Sequence, residues 1–102
     1  PPKLETKWDK ASGRVSIRVT FPDGAEPQIN EVFWSVNRHP DYTMHMEFDT
    51  WQSAPLRQTG AATFEGEASV EAGASTLDVI TVHRHQEAGT TLTISSPERR
   101  LR

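Results

Sequence analysis

The sequence contains no cysteine, no long apolar run and no concentration of charge of one sign. Without cysteine there is no disulfide, thiol nucleophile or thiolate metal ligand. Without an apolar run of membrane length, we expect no membrane insertion. The formal net charge is -3, and the one basic cluster is Arg99, Arg100 and Arg102. Because phosphate recognition needs a concentrated basic surface, nucleic acid is not an expected partner. We expect the arginine cluster to be a solvated tail.

The length and composition fit a single small domain. The chain has 102 residues, of which 34% are hydrophobic and 25% charged. That length supports one hydrophobic core but not two. The chain begins Pro1-Pro2 without an initiator methionine. We therefore expect residues 1–102 to form one domain cut from a longer polypeptide.

Period-two alternation of apolar and polar residues dominates the chain. For example, Val15, Ile17, Val19 and Phe21 alternate with polar neighbours, as a half-buried antiparallel strand requires. Turn-forming Gly, Pro and Asp residues separate such segments. The segment 76–85 is apolar on both sides of the pleat, which is typical of a central strand. The predicted strands are 3–8, 14–21, 31–37, 42–49, 62–70, 76–85 and 90–95.

The spacing of these strands indicates the fold class. Seven short strands separated by turns predict an all-β, two-sheet antiparallel sandwich of the immunoglobulin or fibronectin type III kind. A small barrel or a jelly roll has similar spacing and stays an alternative. The segment 52–60 contains Pro55, Thr59 and Gly60 and is predicted to be a loop.

The aromatic residues divide into core candidates and contact candidates. Trp34 is in phase with Val32 and Val36, which predicts a core position. Tyr42, Met44, Met46 and Phe48 share one face of a predicted strand and are also assigned to the core. Trp8 and Trp51 are less constrained by phase. A solvent-facing pair of tryptophans would stack on sugar rings, and buried packing or docking against a neighbouring domain is the other interpretation.

No residue pattern indicates a reaction. The sequence has no Gly-x-Ser-x-Gly elbow, no phosphate-binding glycine loop and no His-Glu-x-x-His motif, so we expect no enzyme and no cofactor. His83 and His85 project from one face of a strand, and His39 or His45 would be needed to complete a metal site. We interpret the pair as surface or strand-end polar residues. Glu65, Glu67 and Glu71 line an outward face, where we expect them to keep the strand soluble and to oppose edge-to-edge pairing.

Several short motifs resemble one protein family. They are Pro1-Pro2-Lys3-Leu4 with Trp8, then Phe33-Trp34-Ser35-Val36, then Asp41-Tyr42-Thr43, and finally Trp51-Gln52-Ser53-Ala54-Pro55-Leu56. On these motifs the chain resembles the C-terminal portion of the PhoPQ-activated pathogenicity-related family, also known through the autocrine proliferation repressor. The resemblance implies a secreted or periplasmic protein in which a β-sandwich follows an α/β-hydrolase-like domain. None of that family's catalytic positions falls in these residues.

The expected function is that of a noncatalytic accessory domain. Its partner would be the adjacent catalytic domain of the parent chain. The alternative is a carbohydrate-binding module that holds a polysaccharide on exposed tryptophans. The candidate contact residues are Trp8, Arg38, His39, Asp41 and Trp51.

Overall fold

A computed structural model describes residues 1–37 and 51–102. These residues form two antiparallel β-sheets packed face to face, which confirms the predicted all-β sandwich. The predicted strand 42–49 lies outside the described residues. No helix in the described part is long and apolar enough to cross a membrane. The strands are β1 (Lys3–Asp9), β2 (Arg14–Thr20), β3 (Ile29–Val36), β4 (Trp51–Pro55), β5 (Arg57–Gly60), β6 (Thr63–Ser69), β7 (Leu77–Glu87), β8 (Thr90–Ser95) and β9 (Arg99–Leu101).

The strands are divided between a four-stranded and a five-stranded sheet. Sheet A has the order β1-β2-β6-β5, and sheet B has the order β4-β3-β7-β8. The short strand β9 also belongs to sheet B and pairs with β7. All the pairings are antiparallel. Consecutive strands such as β2 and β3 lie in different sheets, so the chain crosses repeatedly between the two layers.

The core lies between the sheets and follows the alternation read from the sequence. Val15, Ile17 and Val19 of β2 are at most 2% exposed, while the residues between them are exposed. From sheet B, Val32 and the predicted core residue Trp34 point to the same interior. Leu77, Asp78 and Val79 are all buried, which confirms that β7 is covered on both faces for part of its length. The remaining buried apolar side chains are Leu4, Phe21, Leu56, Ala62, Phe64, Ala68 and Val70.

The prediction of a loop at 52–60 is wrong. Residues 51–55 form β4, which pairs with β3, and residues 57–60 form β5, which pairs with β6 through an irregular register. Both are short edge strands, and the residues of β5 are exposed throughout. Pro55 is compatible with β4 because an edge strand tolerates a residue that lacks an N–H. An exposed edge strand needs no apolar alternation, so its sequence resembles that of a loop.

The prediction that the C-terminal arginines form a solvated tail is also wrong for Arg99 and Arg100. Residues Arg99–Leu101 form β9. Leu101 packs against the core, and Arg100 forms an ion pair with the buried Asp78. A three-residue strand is too short to show alternation in sequence, and its stability comes from these tertiary contacts.

The turn between β1 and β2 depends on Gly13. This residue has a φ of 76°, in the left-handed region that favours glycine. A Cβ built there would overlap the carbonyl oxygen of Val70. The backbone is this close because Val70 donates an N–H to the Gly13 carbonyl at 2.7 Å. The turn therefore joins the β1–β2 hairpin to the end of β6.

Candidate functional site

The outer face of sheet A is a ladder of alternating charges. Glu5 lies opposite Arg18, Arg18 lies opposite Glu65, and Glu65 lies opposite Arg57 across four neighbouring strands. The Arg18 guanidinium is 3.4 Å from the Glu65 carboxylate. The Thr59 hydroxyl donates to Glu65 and, with a smaller contribution from Arg18, lowers the pKa of that carboxyl. β6 lies between β2 and β5, so the expected role of Glu65 and Glu67 in opposing edge pairing is wrong, and they pair instead with neighbouring strands.

The outer face of sheet B carries an apolar strip. Phe33 and Ile80 lie directly opposite each other on β3 and β7, and each is partly exposed. Alternation places Val82 and Trp51 on the same face, both partly exposed. Ile29 at the start of β3 is 45% exposed. Glu31 and Arg84 separate Ile29 from the other apolar residues of this face. We call Phe33, Trp51, Ile80 and Val82 the apolar strip.

Two ion pairs flank the apolar strip. At one end the Arg84 guanidinium donates to Glu31 at 2.9 Å, and both side chains are partly exposed. At the other end Arg100 holds Asp78 in a fork with N···O distances of 2.8 and 2.9 Å. Asp78 is only 2% exposed. Its hydrogen bond raises the pKa of the Arg100 guanidinium, so this arginine stays charged at neutral pH.

His83 lies in the interior between the sheets. It is fully buried, and its ring packs edge-on against Phe21 at a centroid distance of 4.8 Å. Its Nδ1 is 2.7 Å from Asn30 Oδ1, and its Nε2 is 2.9 Å from Thr81 Oγ1. Asn30 donates its own N–H to the Pro27 carbonyl, so its oxygen accepts from His83. This network assigns a neutral ring with the proton on Nδ1.

The prediction of a surface or strand-end position is wrong for His83, which is buried in the core. Burial lowers the pKa of His83 to about 4, which keeps it neutral. Both of its ring nitrogens are occupied by side chains of the protein itself. His85 is partly exposed, with Nε2 3.9 Å from a Glu87 carboxylate oxygen. In residues 1–37 and 51–102, no three His, Asp or Glu side chains come close enough together to hold a metal ion.

The two tryptophans proposed for contact lie in different sheets and on different faces. Trp8 of β1 points inward, packs partly buried against the core, and has Lys10 4.8 Å above its ring. Its indole N–H is buried and has no acceptor among the described residues. Trp51 of β4 is partly buried on the outer face of sheet B. The two rings do not form one platform. Arg38, His39 and Asp41 lie outside the described residues.

Sequence reasoning missed most of the apolar strip. The sequence indicates Trp51 as a contact candidate, whereas it predicts Phe33, Ile80 and Val82 only as strand residues. The available signal was the apolar character of both faces of β7, which implies that something apolar also lies on the side away from the core. Comparison of the chain with family models, with curated proteins and with solved structures finds no match.

Proposed function

We propose that the chain is a noncatalytic, immunoglobulin-like interaction domain that packs the apolar strip of sheet B against an adjacent domain of its parent polypeptide. In this proposal the parent is a secreted or periplasmic hydrolase-like protein, as the sequence resemblance implies. The domain contributes binding surface and no reacting group. Trp51 is the contact residue of the sequence analysis that lies on this face.

The strand order supports the immunoglobulin-like part of the proposal. The immunoglobulin fold has strands A, B, E and D in one sheet and C, F and G in the other. In chain order, β1-β2-β6-β5 corresponds to A-B-E-D, and β3-β7-β8 corresponds to C-F-G. β4 is then an additional edge strand next to C. The chain crosses from one sheet to the other after β2, β4 and β6, which are the points at which this correspondence requires a crossing.

The difference between the two outer faces is the observation that carries the docking proposal. The outer face of sheet A presents Lys3, Glu5, Lys7, Arg14 and Arg18 to solvent. The outer face of sheet B presents the apolar strip, with ion pairs at its margins. Protein interfaces have this layout, in which an apolar centre depleted in charge is surrounded by a polar rim. We therefore place the partner on sheet B.

Thiol accessibility in the natural polypeptide tests this placement. Because the described chain has no cysteine, Ser53→Cys introduces a unique thiol into this domain on the outer face of sheet B, beside Phe33. Ser16→Cys is the matched control on the outer face of sheet A, and both serines are exposed. Maleimide labelling at each position is followed by mass spectrometry in the isolated domain and in the full-length polypeptide.

We expect labelling at position 53 to slow by about tenfold or more in the full-length polypeptide, and labelling at position 16 to stay unchanged. A tenfold change corresponds to about 1.4 kcal/mol of shielding. Equal labelling at position 53 in both forms would sink the docking proposal. The hydrolase-like parent has its own test, since a Gly-x-Ser-x-Gly elbow is expected upstream of Pro1, and an unrelated domain there would contradict it.

A glycan titration separates this proposal from the carbohydrate-binding alternative. Soluble polysaccharides are added to the isolated domain while tryptophan fluorescence is followed. We expect no saturable change, because Trp8 and Trp51 lie on different faces. A saturable change that is lost in Trp51→Ala would favour the alternative.

A further inference from the structure

The edge strand β8 differs from the other edge strands in lacking the features that discourage strand pairing. Charged side chains, proline, bulges and short length protect an edge from pairing with another chain. β1 carries four charged residues, β5 has four residues and an irregular register, and β4 ends on Pro55. β8 reads Thr-Thr-Leu-Thr-Ile-Ser, with neither charge nor proline. Of the described strands, only β7 pairs with it.

The backbone of β8 offers its hydrogen-bonding groups to solvent at alternate residues. The Ser96 N–H donates to the Thr81 carbonyl of β7 at 2.9 Å. In a regular strand, residues two apart direct their N–H and C=O groups to the same side. Ile94 and Leu92 therefore face β7, while Thr91, Thr93 and Ser95 direct their backbone groups away from the sheet.

We propose that two copies of this chain associate by antiparallel pairing of β8 with β8, about a two-fold axis at Thr93. Residues directly opposite each other must project from the same sheet face, because a shift by one residue would exchange the faces. With Thr93 opposite the partner subunit's Thr93, Thr91 lies opposite the partner subunit's Ser95. In this register every outward-facing backbone N–H and C=O group of β8 has a hydrogen-bonding partner on the other copy.

The side chains of β8 suit this self-pairing. In the same register, Leu92 lies opposite the partner subunit's Ile94 twice, once on each side of the axis. Leu92 is 51% exposed, and Ile94 is partly buried at the rim of the core. Pairing covers Leu92 with an apolar partner and extends the interior of the sandwich across the interface. Because β8 carries no charge, no like charges meet across the two-fold axis.

The size of the contact predicts a weak dimer. One strand pair buries less area than a standard stable interface. We therefore expect a dissociation constant between about 1 μM and about 1 mM, and a monomer on dilution. A two-fold contact of this kind uses the same surface on both copies and stops at the dimer.

A charge-pairing experiment tests the proposal. Thr93 is exposed, so Thr93→Lys and Thr93→Glu place like charges opposite each other in a dimer of either variant. Each variant alone is expected to associate at least about tenfold more weakly than the unmodified chain, since directly opposed like charges destabilise a strand pair. An equimolar mixture restores association by pairing Lys with Glu. Sedimentation velocity over a concentration series is the measurement.

The matched control is Ser53→Lys, on the outer face of the opposite edge strand β4 of the same sheet. It adds the same charge and is expected to leave the dissociation constant unchanged. Thermal unfolding followed by circular dichroism confirms that each variant is folded. A monomeric unmodified chain at about 1 mM overturns the proposal, and so does equal weakening by the two lysine substitutions. A mixture of the two Thr93 variants that stays monomeric also overturns it.

Discussion

The two sheets differ in where they keep their polar groups. Every buried polar or charged residue of the described chain belongs to a strand of sheet B or directly follows one: Asn30, Ser35, Asp78, Thr81, His83 and Ser96. The buried residues of sheet A strands are apolar, and its charges lie outside. Buried polar groups need specific partners, whereas exposed charges exchange theirs with water. The structure of sheet B therefore depends on a few particular hydrogen bonds and ion pairs. The structure of sheet A depends on the alternation of apolar and polar residues.

The same difference extends to the surfaces. Sheet A presents charge on its outer face and on its edge strand β1, and charge on an edge strand discourages pairing with another chain. Sheet B has the apolar strip on its outer face and the uncharged strand β8 at one edge. Both proposed contacts thus fall on the sheet whose interior is the more polar.

The largest expected effect comes from removing Arg100. In Arg100→Ala the carboxylate of Asp78 stays buried without its forked partner, and breaking a buried pair in this way is strongly destabilising. We expect the melting temperature to fall by more than about 10 °C. The control Arg14→Ala removes the 3.8 Å pair with Glu67 on sheet A, where both side chains are more than 60% exposed, and is expected to change it by less than about 2 °C.

A second variant distinguishes the buried charge from simple loss of packing. Asp78→Asn combined with Arg100→Ala removes the charge that Arg100→Ala leaves behind. The double variant is expected to melt at a higher temperature than Arg100→Ala alone. Equal melting temperatures for Arg100→Ala and Arg14→Ala would contradict the proposed difference between the two sheets.

The next effect is a pH dependence that arises in sheet B. Burial lowers the pKa of His83 from 6.5 to about 4 in the folded chain. The unfolded chain therefore binds an additional proton between these values, and stability is lost as the pH falls below about 6.5. Between pH 7 and pH 5 we expect a loss of about 2 kcal/mol from this group. Urea unfolding at both pH values measures it.

The control for this pH dependence is His83→Gln, which keeps polar atoms near Asn30 and Thr81 but does not titrate. Its stability is expected to change less than that of the unmodified chain over the same interval. Most carboxyl groups stay ionised above pH 5, so their contribution to the difference is small. An equal loss in both proteins would show that His83 does not set the dependence.

How far the sequence predicts the structure also differs between the sheets. In sheet A, the alternation of Val15, Ile17 and Val19 with polar residues predicts both β2 and its buried face, because such alternation is typical of a half-buried strand. In sheet B, the partners of Asp78 and His83 were not predictable, since Arg100 and Asn30 lie 22 and 53 residues away along the chain. The short strands β4, β5 and β9 were missed because tertiary contacts, rather than periodicity, define them.

The smallest expected effect belongs to the charge ladder of sheet A. Arg18→Glu places a carboxylate directly between Glu5 and Glu65, and like charges opposite each other weaken a strand pair. Because these side chains are partly solvated, we expect the melting temperature to fall by only about 4 °C at low salt. At 1 M salt the screening length is about 3 Å, so the difference from the unmodified chain should shrink. The control Ser16→Glu places a carboxylate beside Lys7 and Glu67, where attraction and repulsion largely cancel. We expect exposed ion pairs to contribute little to the stability of sheet A. A fall in melting temperature that is as large in Arg18→Glu as in Arg100→Ala, or that does not depend on salt, would contradict this.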